Sequence, residues 1–154
     1  MTELIHSDSI WVARAPEAVY DLVADVTRYG EWSPVCTGCW WDEGASAREQ
    51  AWFTGRNEAR GRTWETRSQV VAAERGKRFA FVVGGRFARW EYRLEPDDDG
   101  TRLTESWEFL PEGVALFDER YGTDAQREID IRAADARRGI PATLAAIKAT
   151  AEAS

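Results

Sequence analysis

A chain of 154 residues, 44% apolar and 31% charged, fits one globular domain spanning residues 1–154 that needs no disulfide or metal for stability. A net charge of −7 opposes non-specific binding to nucleic acid or to an anionic membrane surface. No stretch approaches the ~20 apolar residues of a spanning helix, and Met1–His6 lacks the basic-then-apolar pattern of a secretory signal, so a cytoplasmic protein without membrane insertion is expected, its two cysteines reduced.

Ser9 to Ala13 alternates polar and apolar residues and reads as a first strand. Ala15-Pro16-Glu17 opens a helix, because proline suits the first helical turn and an acidic residue suits the positive end of the dipole. Val19, Leu22, Val23 and Val26 give that helix one apolar face. A second short helix is predicted over 27–32, stopped by Pro34. Turn signals then punctuate six strands at about 37–42, 48–57, 62–73, 77–83, 86–95 and 101–110. After Pro111 the pattern is helical to the end, with interruptions at Gly122 and at Gly139-Ile140-Pro141, where a kink or break is expected. Ile140, Leu144, Ile147 and Ala151 form an apolar stripe for core packing that is also a candidate cavity lid. The order is α+β: a strand, two short helices, six strands and a long helix, with the sheet curling around the terminal helix.

This order and several short motifs resemble the START-like (SRPBCC) superfamily, and within it the polyketide cyclase/dehydrase-like group. The matching segments are Ala15-Pro16-Glu17-Ala18-Val19-Tyr20-Asp21-Leu22-Val23-Ala24-Asp25-Val26, Glu31-Trp32-Ser33-Pro34, Phe53-Thr54-Gly55-Arg56-Asn57, Trp90-Glu91-Tyr92-Arg93-Leu94-Glu95-Pro96 and Gly100-Thr101-Arg102-Leu103-Thr104-Glu105-Ser106-Trp107. The resemblance implies a helix-grip fold, a curved seven-stranded antiparallel sheet around a long C-terminal helix. It does not choose among carriers, lipid and hormone binders, and cyclases.

Eight tryptophans have two readings, a bulky core or an aromatic cavity wall. Strand alternation groups Trp90, Tyr92 and Leu94 on one face, and Leu103, Glu105, Trp107 and Phe109 on one face of the next strand. Trp64, Thr66, Ser68 and Val70 form a third row, and Phe53, Gly55 and Asn57 a fourth. The opposite row Arg89, Glu91 and Arg93 reads as a solvated face. The candidate ligand-binding residues are therefore Phe53, Asn57, Trp64, Trp90, Tyr92, Glu105, Trp107 and Phe109. Glu105 and Tyr92 are also weak candidates for acid–base work, because a carboxyl among aromatic rings loses hydration. Against that stand a Glu105 paired with an arginine at a strand end, a core Tyr92, and Asn57 as a turn residue.

Cys36-Thr37-Gly38-Cys39 matches a Cys-x-x-Cys motif but leads into a strand, where residues three apart face opposite sides, so structural or incidental cysteines are expected. With His6 the only histidine, expected to be exposed, neither a zinc site nor a His-dependent nucleophile has its parts. No cofactor is implied. Asp97-Asp98-Asp99-Gly100 lacks calcium-loop spacing and reads as a hairpin turn. Arg56, Arg60 and Arg62 are either solvated charge or a mouth for an anionic ligand. The favoured reading is a binder of a small hydrophobic, aromatic or polycyclic molecule; the others are a polyketide aromatase/cyclase-type enzyme and a regulatory module with a filled interior. Oligomeric state has no residue-level signal.

Overall fold

The computed structural model describes residues 2–154. β1 (Ile5–Val12) is followed by α1 (Pro16–Val23), a 3₁₀ turn at Val26–Arg28 and α2 (Tyr29–Trp32). Six strands come next: β2 (Cys36–Trp41), β3 (Trp52–Ala59), β4 (Arg62–Glu74), β5 (Arg78–Val83), β6 (Ala88–Asp97) and β7 (Gly100–Phe109). α3 (Pro111–Tyr121) and α4 (Ala125–Glu152) complete the chain. All pairings are antiparallel, in the order β1-β7-β6-β5-β4-β3-β2. The curved sheet grips the long terminal helix, and this is the helix-grip fold.

Local chemistry accounts for most boundaries. Pro16 opens α1, and Val19, Tyr20 and Val23 bury its apolar face. β3 and β4 join through Arg60-Gly61, both at positive φ, the backbone that a two-residue hairpin requires. Three expectations fail. β1 begins at Ile5 rather than Ser9, because its first residues pair with β7 although they carry no clear alternation. β3 begins at Trp52 rather than residue 48, since Gln50 at φ 72 cannot continue a strand. The helix does not break near Gly139. α4 runs unbroken through Pro141, and the interruption falls at Gly122, at φ 55. Pro141 still costs one backbone hydrogen bond. Tertiary burial of Ile140, Leu144 and Ile147 around it offsets that loss.

Those three side chains, with Val12, Val19, Val23, Val26, Val70, Phe79 and Leu103, are the larger apolar side chains that are fully buried in the core. Burying each such side chain contributes on the order of 2 kcal/mol. On the outer face of β6, Glu91 departs from the expected solvated row. It is 6% exposed, with Arg89 at 2.9 Å and Arg93 at 2.8 Å, and their stems help to cover it.

α2 lies so close to β2 that only glycine fits between them. A Cβ on Gly30 would stand 2.5 Å from the Thr37 carbonyl oxygen. Gly30→Ala should therefore destabilise the protein by about 1–3 kcal/mol despite alanine's better helix propensity. Gly38→Ala, whose Cβ meets nothing within 4 Å, should have little effect. Urea denaturation of both variants checks this; equal stabilities would show that α2 has room to move.

Candidate functional site

Between the concave sheet and α4 lies a cavity of about 570 Å³. The strands pleat, so alternate residues face it. β6 contributes Trp90 and Tyr92, and β7 contributes Glu105, Trp107 and Phe109. Phe53 and Asn57 reach it from β3, and Trp64 from β4. The structure thus brings all eight candidate residues to one cavity, while Leu94 and Leu103 of the same rows are buried in the core and do not line it. The roof is Arg132, Ala136, Gly139 and Thr143 of α4, spaced four, three and four apart on one helix face. The stripe Ile140, Leu144, Ile147 and Ala151 is core rather than lid, because it lies on the neighbouring face of the helix.

Three roof residues are small, and this is why space remains. The opposite wall is rigid and aromatic. Phe53 and Phe81 meet edge to face at 5.0 Å, Tyr29 packs on Phe81 at 6.0 Å, and Trp107 stacks on Phe109 at 6.0 Å. Tyr29 donates its hydroxyl to the Val23 carbonyl at 2.6 Å. Trp11 and Trp32 use their indole N–H groups structurally, on the Asp97 carbonyl and the Thr150 hydroxyl. Asn57 Nδ2 donates to Thr66 Oγ1 across the β3–β4 pair at 3.4 Å.

Glu105 is the exception in this wall. It is 5% exposed, and its Oε1 has no hydrogen-bond partner among the described residues. Burial pushes its carboxyl up to about 8, only partly offset by the Tyr92 hydroxyl, which stands opposite in the β6–β7 register. Tyr29 and Tyr92 are driven well above the usual phenol range, chiefly by burial. At neutral pH the site therefore presents a mostly uncharged carboxyl and two neutral phenols. No arginine neutralises Glu105, so the strand-end ion pair considered for it is not formed among the described residues.

Residues 6–152 match the family model for polyketide cyclase/dehydrase and lipid transport. The chain belongs to this family. A polyketide-cyclase-like protein from Corynebacterium glutamicum is 48% identical, with 94% of this chain and 89% of that one covered and a TM-score of 0.69. The fold is also shared with StfQ, a di-domain ARO/CYC protein of the steffimycin biosynthetic pathway, at 16% identity. That match covers 99% of this chain and 51% of StfQ, with a TM-score of 0.73. Major latex-like protein 151 from Panax ginseng shares it at 13% identity, with 84% and 97% coverage and a TM-score of 0.56. No curated protein matches the chain.

Within this family member, two features depart from their sequence reading. Cys36 and Cys39 do not face opposite sides. A register shift between Cys36 and Gly38 turns both thiols to the cavity, 3.2 Å apart. Their shared contact holds the Cys36 thiol down and, together with burial, pushes Cys39 up. His6 is half-buried and stacked on Trp107 at 5.8 Å rather than exposed. Arg56, Arg60 and Arg62 are exposed charge at the β3–β4 hairpin, the first of their two readings, and not an open cationic mouth. They pair with Glu65, Asp135 and Glu128, and the last two pairs clasp the β3–β4 hairpin to α4. Arg132, Tyr29 and Phe81 also line the cavity and were not legible as site residues. Residues 79–83 are apolar on both faces, so alternation could not single out Phe81, and Arg132 reads as one more charge on a charged helix.

Two outcomes follow. Because Glu105 titrates higher in the folded protein than its ordinary 4.5, it favours folding below pH about 4.5; that contribution is lost as pH rises and is gone above about 8. Wild-type stability should fall across this window by up to several kcal/mol more than that of Glu105→Gln. Parallel urea titrations at stepped pH measure the difference; superimposable profiles would contradict the buried, unpaired carboxyl. Diamide should take two hydrogens from Cys36 and Cys39 to form an intramolecular disulfide, seen by intact mass and absent in Cys36→Ser.

Proposed function

We propose that this protein binds one small hydrophobic molecule, aromatic or polycyclic, inside the cavity between sheet and α4. The observation that carries this reading is an aromatic-walled volume of about 570 Å³ that the chain's own side chains leave unfilled. Its size falls in the range of small-molecule pockets, roughly 300–1,000 Å³. An unfilled apolar space costs packing energy that a ligand restores. The same volume weighs against a regulatory module with a filled interior. The eight residues Phe53, Asn57, Trp64, Trp90, Tyr92, Glu105, Trp107 and Phe109 are the proposed contacts, with Glu105 Oε1 offered to a ligand hydroxyl or amine. A cytoplasmic setting belongs to the same proposal. Among the described residues no helix is long and apolar enough to cross a membrane.

A second reading, an aromatase/cyclase-type enzyme, draws on one observation: a carboxyl held up to about 8 beside a neutral tyrosine. Such a group can give a proton to a developing alkoxide or take one from an activated carbon near neutral pH. A poly-β-keto chain folded against the aromatic wall would be held close to it. In that case Glu105→Gln should abolish turnover and leave binding of an inert aromatic intact.

Titration with the neutral probe N-phenyl-1-naphthylamine should quench tryptophan emission saturably and at equimolar stoichiometry. Gly139→Leu should fill the roof, because a Cβ there meets only Pro34 at 3.6 Å, and should weaken probe binding at least about tenfold without loss of stability. Unchanged affinity in Gly139→Leu, or no saturable response in the wild type, would sink the cavity reading. Native mass spectrometry of gently purified protein would identify any molecule already bound.

A further inference from the structure

The roof holds a cation that the fold does not neutralise. Arg132 is half-buried and lines the cavity. Its guanidinium lies 4.9 Å from the Trp64 ring and 5.6 Å from the Phe117 ring. Its Nη1 is buried and has no hydrogen-bond partner, and it makes no ion pair among the described residues. The carboxylates about one turn away along α4 are otherwise engaged, Glu128 by Arg62 and Asp135 by both Arg60 and Arg138, and Asp130 accepts from Thr2 and Gln126. Two aromatic faces stabilise a partly desolvated guanidinium to some degree, but they cannot accept the N–H bonds it has lost from water.

Arg132 also has a definite place along the aromatic wall. Phe117, under the guanidinium, meets Phe109 edge to face at 5.1 Å, and Phe109 stacks on Trp107. Glu105 is the first residue of the same β7 row to line the cavity. From Glu105 to Phe109 the strand rises about 13 Å, enough for several fused rings. The cavity thus has polar groups of unlike kind at the two ends of an apolar track. Glu105, held largely uncharged at neutral pH, does not repel an anion within the track.

We propose that Arg132 is an anion subsite, so that the ligand is an aromatic carboxylate: its ring system lies along Trp107 and Phe109, and its carboxylate accepts hydrogen bonds from the Arg132 guanidinium. Arginine presents paired donors that match a carboxylate's two oxygens. The inference rests on the cavity-binding reading and specifies the ligand class for it.

The test uses an anthracene monocarboxylate and its methyl ester, titrated into the full-length protein at neutral pH and near-physiological salt by calorimetry. The wild type should bind the acid at least about tenfold more tightly than the ester. Arg132→Met should lose that preference while ester affinity stays within about twofold, and Arg132→Lys should recover part of it. Arg120→Gln, at another cavity-lining arginine, should leave it in place. Equal wild-type affinities for acid and ester overturn the anion subsite while leaving the cavity reading standing. So does a preference that persists in Arg132→Met. Failure of the wild type to bind either probe overturns both. Should Arg132→Met not fold, the wild-type ratio and Arg132→Lys decide the matter.

Discussion

The packing of α4 is the constraint on which the rest depends. One face of this helix, Ile140, Leu144, Ile147 and Ala151, must be buried for the sheet and the two short helices to have a core. The adjacent face, Ala136, Gly139 and Thr143, is turned toward the concave sheet but has too little volume to reach it. A single element therefore closes one part of the interior and leaves the other part open. The hairpin clasp of Arg60 on Asp135 and Arg62 on Glu128 holds the far part of the helix over the opening. Each pair is exposed on the arginine side, so its own contribution is only on the order of 1 kcal/mol or less. Its position at the mouth matters more than its strength.

An open interior changes the chemistry of what lines it. Glu105 would be an ordinary carboxylate on a wet strand. Between Trp107 and the buried Tyr92 it is stripped of water, and nothing charged compensates it. Arg132 is the converse case, a cation whose carboxylate neighbours on α4 are already held by the clasp. Both are costs to folding that a stability-optimised core would remove by apolar substitution. Retaining them makes sense where a ligand supplies the missing partners. The β2 bulge acts similarly on the thiols, bringing Cys36 and Cys39 together on the cavity side.

Much of the architecture was readable from residue pattern. Seven strands, two short helices and the terminal helix follow from alternation, glycine turns and the Pro16 and Pro111 starts, and the family motifs run in the same order. The rows Trp90-Tyr92 and Glu105-Trp107-Phe109 were legible because a pleated strand fixes which residues share a face. Features that depend on a one-residue irregularity were not. The bulge at Thr37 reverses the expected facing of two cysteines, and Gln50 at positive φ shortens β3. The unbroken course of α4 through Pro141 was also hidden, since burial there outweighs a local penalty.

Taken alone, the sequence determined the order of elements, the inward rows of the strands and the candidate carboxyl, because these obey short-range rules of dihedral angle and periodicity. Tertiary structure alone decided that a cavity exists, which face of α4 roofs it, and that the roof arginine Arg132 is left without a carboxylate. Those depend on the volumes and pairings of residues far apart in the chain. Arg60 and Arg62 find Asp135 and Glu128 only when the hairpin closes over the helix, and only then does Arg132 remain unpaired beneath it.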